Sequence, residues 1–246
     1  MIEAADQVHH TSKDSRFCNL CGEALGATYQ VYEHAGSGRR LAICNACANR
    51  KVVCTSCGAP LADGHAQLSD GRPICSSCRT SAVDDVLTAR RLYEQVIGVV
   101  DRELGLRVHR RPGFGLYSHG DMQRLQAALS QSPGGGGHLL GVYTKLGSQR
   151  EIAVETGLPR LLMIKVIAHE YGHAWQGENC PFLTDVQLLE GFCEWVAYKV
   201  MGAVGAEAVQ TRQLMAQGFY GNALRRIVAL EVEGGIEAVL HTVRSP

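Results

Sequence analysis

The sequence runs to 246 residues, 46% hydrophobic and 20% charged, proportions that suit a folded globular chain and exclude a disordered one. Lys plus Arg matches Asp plus Glu at 24 each, and the balance holds locally, with 8 basic and 7 acidic residues up to residue 80 and 16 and 17 beyond it; the basic footprint of a nucleic-acid binder is missing. The opening MIEAADQVHHTSKDS has no basic start followed by an apolar run, and no long apolar stretch occurs elsewhere, so the expectation is a cytoplasmic protein that does not engage a membrane.

In chain order, residues 1–16 read as a disordered N-terminus, 17–80 as a metal-binding domain and 81–246 as a second domain. Eight of the ten cysteines fall between Cys18 and Cys78, in the pairs CNLC (Cys18, Cys21), CNAC (Cys44, Cys47), CTSC (Cys54, Cys57) and CSSC (Cys75, Cys78). In a reducing compartment such pairs hold metal more often than disulfides. Two sulfurs on either side of two residues sit on a tight turn, and a second such turn closes a tetrahedral shell. Spacers of 22 and 17 residues, against only six between Cys47 and Cys54, favour sequential sharing, with Cys18, Cys21, Cys44 and Cys47 on one Zn²⁺ and Cys54, Cys57, Cys75 and Cys78 on another. An interleaved pairing is the alternative. Four thiolates leave no position for water, so both sites are expected to be structural. Between the ligands, ATYQVYEHAGSGRRLAIC and GAPLADGHAQLSDGRPIC read as short hairpins with turns at GSG and SDG. His34 and His65 within them read as loop residues and not as ligands.

Beyond residue 80, SAVDDVLTARRLYEQVIGVVDRELGL places apolar residues at helical spacing behind a Ser81 cap. LRVHR is expected to start a strand, DMQRLQAALSQ to be a helix and SPGGGG a break; HLLGVYTKL and REIAVETGL read as neighbouring strands. LPRLLMIKVIAHEYGHAWQGEN then reads as a mostly buried helix starting at Pro159. On it His169 and His173 lie one turn apart on one face, able to share a metal, while Glu170 is offset by about 100° and can reach a water there without being a ligand. With 10 His and 15 Glu in the chain, roughly 0.02 accidental HExxH matches are expected, so a third ligand is needed to make the case. TDVQLLEGFCEWVAYKVMG supplies one: it reads as a helix capped by Thr184, with Glu190 and Glu194 one turn apart. Glu190 is assigned as the third ligand and Glu194 as the acceptor for a ring N–H of His169 or His173, with the reverse assignment open. Two histidines and one carboxylate leave a fourth position for water, the arrangement of a catalytic zinc. Cys193 reads as core, Cys180 as a loop residue, and GAEAVQTRQLMAQGFYGNALRRIVALEV and GGIEAVLHTVR as covering helices in which His241 is a surface residue.

The cysteine pattern, with Gly58 and Leu61 after Cys57 and DGRPIC leading into the last pair, resembles a LIM domain. It departs from that pattern at Cys44, where histidine is usual, and in the six residues between the fourth and fifth ligands, where two are usual. The resemblance implies a protein-binding module. HExxH followed by a helix bearing EGF is similar to the zinc peptidases called gluzincins. The stretches GLPRLLMIKVIAHEYGHAW, EGFCEWVAYKVM and YGNALRRIVALEVEGGIEAVLHTVR resemble, more narrowly, the peptidase domain of the plant LIM-domain peptidases that limit organ size and are activated by ubiquitination. This likeness runs over most of residues 135–246 and implies a shorter relative, without the acidic helical segments of a ubiquitin-interacting motif. The expected fold class is therefore α+β: an N-terminal LIM-like double zinc knot, then a mainly α-helical gluzincin-type domain with a small β-sheet. The expected activity is that of a zinc endopeptidase acting on protein or peptide substrates, with one catalytic and two structural Zn²⁺ and Glu170 as general base. Gluzincins usually add a Tyr or His donor to the oxyanion; Tyr171, Tyr198, Tyr220 and His138 are available, and Tyr198 and Tyr220 are the ones retained. The alternative is an inactive zinc-scaffolded adaptor.

Overall fold

The computed structural model describes residues 16–33, 40–50, 52–56, 59–68, 71–129 and 139–245. The chain divides into two compact units, residues 1–82 with 157–160, and residues 83–156 with 161–246. The expected disordered stretch lies almost wholly outside the described residues, as do His34, Cys57 and His138.

The first unit repeats one small plan twice. An isolated bridge, Phe17 with Ala24 and then Val53 with Pro60, closes a tight loop around the first cysteine of each half. The Cys18 N–H donates to Glu23 at 2.7 Å and the Cys54 N–H to Ala59 at 2.8 Å. An antiparallel hairpin follows, β1 (Gln30–Glu33) with β2 (Arg40–Ile43), and a one-turn helix α1 (Asn45–Ala48) starts directly after Cys44. In the second half β3 (Ala66–Gln67) pairs with β4 (Pro73–Ile74), and α2 (Ser76–Thr80) starts directly after Cys75. The apolar cores are small and built partly of sulfur: Ile43 with Cys18 and Cys47, and Leu61, Leu68 and Ile74 with Cys54 and Cys78.

After a two-residue strand β5 (Ala82–Val83), the chain forms α3 (Val86–Leu104), β6 (Gly113–Tyr117), α4 (His119–Leu129), β7 (Gly141–Leu146) and β8 (Gln149–Glu155). A second two-residue strand, β9 (Leu158–Pro159), pairs with β5 and leads into α5 (Arg160–Asn179), followed by α6 (Val186–Ala203), α7 (Glu207–Met215) and α8 (Gly218–Arg244). The three-stranded sheet has the order β6-β8-β7, β8 running parallel to β6 and antiparallel to β7, so β7 is an edge. Helices with several small sheets make this an α+β chain. Among the described residues no helix is long and apolar enough to cross a membrane.

Four local expectations are corrected. Asp85, not Ser81, caps α3, accepting from the Thr88 N–H at 2.8 Å, while Ser81 ends α2. Asp185, not Thr184, caps α6, its carboxylate accepting from the N–H groups of Gln187 and Leu188. LRVHR is not a strand, because the N–H groups of His109 and Arg110 are taken by the Glu178 carboxylate at 2.6 and 3.1 Å and not by a neighbouring strand. The first covering helix is split at residues 216–217, and the second continues α8 past a break at Gly234 and Gly235.

Candidate metal centre

Helix α5 is apolar on most of its circumference, burying Met163, Ile164, Ile167, Ala168, Tyr171, Ala174 and Trp175, so its polar residues sit in low-dielectric surroundings. Two glycines let neighbouring elements close on it. A Cβ at Gly172 would lie 2.9 Å from Cys193 Sγ and 3.1 Å from its Cα, so α5 and α6 meet nearly backbone to backbone. A Cβ at Gly141 would collide with Val166, so the edge strand β7 lies directly over the same helix. Between these elements opens a cleft of about 630 Å³ whose lining includes Val142, Tyr143, His169, Glu170, His173 and Glu190.

The imidazoles of His169 and His173 lie with ring centroids 4.9 Å apart. His169 Nε2 is 3.3 Å from one carboxylate oxygen of Glu190, and His173 Nε2 is 3.6 Å from the other. Charge-assisted hydrogen bonds run shorter, at about 2.7–2.9 Å. The edge of a tetrahedron with zinc bonds of about 2.0–2.1 Å is roughly 3.3 Å. Each of these two distances therefore suits a pair of ligands on a common ion at least as well as it suits direct bonding. The other ring nitrogens are both occupied: His169 Nδ1 lies 3.2 Å from Glu194 Oε1, and His173 Nδ1 lies 3.2 Å from Gln176 Oε1. Acceptors at Nδ1 make Nε2 the nitrogen that faces Glu190 on each ring, the one a metal would take once any proton there has left. The donor set thus fits a zinc ion.

Burial by itself would lower the His169 pKa, yet the carboxylates of Glu190, Glu194 and Glu170 push it up to about 10. Burial would likewise raise the Glu190 pKa, and the two imidazoles hold it at about 2. Glu194 is kept below the usual carboxylate range, against its burial, by Lys165 at 3.1 Å and by His169. Among the described residues, the grouping at this place whose ligand atoms all lie within 4.8 Å of one another is His169, His173 and Cys193. The Cys193 thiol, however, donates to Gln176 Oε1 at 3.2 Å, and burial first, then the nearby carboxylates, raise its pKa well above the ordinary value. A zinc-binding sulfur must be a thiolate.

Glu170 is 8% exposed, and its Oε2 accepts the backbone N–H of Tyr143 at 2.7 Å. Tyr143 faces Ile152 across the β7–β8 ladder, so this N–H points outward from the sheet edge and towards α5. Tyr220 lines the cleft with its ring centroid 6.5 Å from that of His169. Tyr198 is not among the lining residues, and Tyr171 is buried with its hydroxyl directed at the Leu106 carbonyl.

The chain is similar to Protein DA1 of Arabidopsis thaliana. The two are 28% identical over 182 residues, which cover 61% of this chain and 34% of that protein. The chain thus spans about a third of the length of this relative. No family model and no solved structure matches.

In the first unit the four sulfurs of Cys18, Cys21, Cys44 and Cys47 lie within 4.8 Å of one another, as do those of Cys54, Cys75 and Cys78, with Cys57 outside the described residues. The grouping follows the sequential pairing, and the clusters could hold zinc. Cys18 Sγ accepts from the N–H groups of Leu20 and Cys44 at 3.4 Å; against burial, such bonds draw its pKa down to about 6 and favour the thiolate. His65 turns its ring to the Ala62 carbonyl and is absent from both groups.

Sequence reasoning missed Gln176 and Lys165 at the centre. Gln176 carried a signal, a polar residue three beyond His173 on an otherwise apolar helix, and Lys165 stands one turn before His169.

Proposed function

We propose that the chain is a zinc-dependent peptidase in which His169, His173 and Glu190 hold the metal and Glu170 is the general base. The observation that carries this reading is the convergence of two Nε2 atoms on one carboxylate, at 3.3 and 3.6 Å, with both Nδ1 atoms tied to acceptors and a further buried acid beside them. The resemblance to the plant LIM-domain peptidases and the similarity to Protein DA1 support it from outside the site. Glu190 is preferred to Cys193 as ligand because a carboxylate is already ionised, whereas the buried thiol would first have to lose its proton.

A zinc ion held by His169, His173 and Glu190 would supply Lewis-acid polarisation for the attack of water on the scissile carbonyl. Glu170 takes a proton from the attacking water and delivers it to the leaving amine. The Tyr143 N–H holds the Glu170 carboxylate in place for that exchange. Tyr220, at the wall of the cleft, is the residue positioned to donate to the developing oxyanion. An extended peptide adds along the edge of β7 outside the Tyr143 N–H that Glu170 occupies, where main-chain bonds give affinity and the apolar cleft residues Leu139, Val142 and Leu189 receive side chains. The cysteine clusters of the first unit take two structural zincs, and that unit serves as a docking module for a protein partner or substrate.

The test is to incubate the purified chain and Glu170→Gln with a proteome and compare new N-termini, with zinc counted in both. New termini are expected only with the parent chain, and three zincs with each. Equal cleavage by both removes Glu170 as base. Cleavage by neither, with two zincs bound, favours the adaptor reading.

A further inference from the structure

Gln176 is 3% exposed and lies on α5 one turn beyond His173, so it has no solvent to satisfy its amide. Its Nε2 donates to the Leu189 carbonyl on α6 at 2.9 Å. A backbone carbonyl can only accept, so this bond fixes which end of the amide is nitrogen and turns Oε1 towards α5. Oε1 lies 3.2 Å from His173 Nδ1 and 3.2 Å from Cys193 Sγ. A carbonyl oxygen can only accept in turn, so this contact calls for the N–H of His173 at Nδ1 and makes Nε2 the nitrogen turned towards Glu190. Leu189 is the residue before Glu190. One amide side chain therefore spans from the ring of a histidine on one helix to the backbone beside a carboxylate on the other.

We propose that Gln176 is a positioning residue for the metal centre, fixing the tautomer and ring angle of His173 and locking it in register with Glu190. The inference rests on the proposed metal reading and adds to it a residue outside the ligand set. Cys193 has a supporting part as the second donor to Oε1, which keeps the amide from rotating.

The test uses the full chain and reads zinc affinity, not proteolysis, by competition with a chromogenic chelator for the weakest-held zinc. Gln176→Met keeps the length and removes both polar ends; it is expected to weaken that zinc by about 10–100-fold, the usual cost of losing such a partner. Gln176→Glu, which keeps an acceptor for His173 but loses the donor to the Leu189 carbonyl, is expected to recover part of the loss, as simple space-filling would not. Parental affinity in Gln176→Met overturns the proposal, and so does an equal loss in both variants. If neither variant folds, ¹⁵N NMR of the imidazoles in the unaltered zinc-loaded chain decides, since a proton on His173 Nδ1 is required and metal at Nδ1 rules the proposal out. His169→Ala is the control. If it keeps every zinc, the metal reading itself fails; if it loses one while Gln176→Met does not, only this inference fails.

Discussion

At His169 the metal-free chain keeps a proton that a zinc ion has to displace. Its pKa, pushed up to about 10 by three carboxylates, leaves the ring charged at neutral pH, and ligation needs it neutral. Zinc uptake at pH 7 should therefore release about one proton from this ring, measurable by calorimetry in buffers of different ionisation enthalpy. The same shift stabilises the metal-free fold below the ordinary histidine range and is lost as pH rises through about 10. A chelator-treated sample should accordingly melt at lower temperature as it is made more alkaline. The choice of third ligand belongs to this scale too. Glu190→Ala is expected to cost one zinc of three, and Cys193→Ser none, in metal analysis after dialysis. The reverse pattern would hand the ligand role to the sulfur.

The elements matter through how closely they approach. A Cβ at Gly172 would press on the Cα and Sγ of Cys193, where neither backbone nor buried side chain has room to yield. Alanine gains up to about 1 kcal/mol in helix propensity over glycine, but overpacking a core costs about 1–3 kcal/mol. Gly172→Ala should therefore lower stability by on the order of 1 kcal/mol in urea unfolding. It should also weaken zinc binding at the proposed centre by separating Glu190 from the histidines. Much of this level was legible in the sequence: the periodicity of α3, α5 and α6, the paired strands β7 and β8 and both hairpins of the first unit follow from patterns of apolar and turn residues. What was not legible has a common cause. Ser81 and Thr184 are good capping residues a short way ahead of helices, and only the chain's path shows that Asp85 and Asp185 reach the free N–H groups instead. β6 pairs in parallel with a strand more than thirty residues away, a partnership that no local pattern encodes. Gln176 matters because of α6, which sequence spacing on α5 does not reveal.

Over the whole molecule, the two units rest on different physics. The first has few apolar side chains in each half and cysteines among them, so zinc at those clusters would stand in for a core. The second buries Trp175, Phe192, Trp195, Ile152 and Ile227 in an apolar core of its own. Strong chelation should thus unfold residues 16–82 while leaving the second unit folded, seen by hydrogen exchange as protection lost in the first unit only. The final stretch of α8 adds a constraint of its own. Gly235 takes a φ of 71° and ψ of −170°, a conformation nearly reserved for glycine, and breaks the helix. The last turns bury Val239 and Val243 and lay the Arg244 guanidinium over the Trp175 ring at 5.1 Å. Trp175 stands two residues past His173, so the packing of the segment after the Gly235 break bears directly on the helix that carries both histidines.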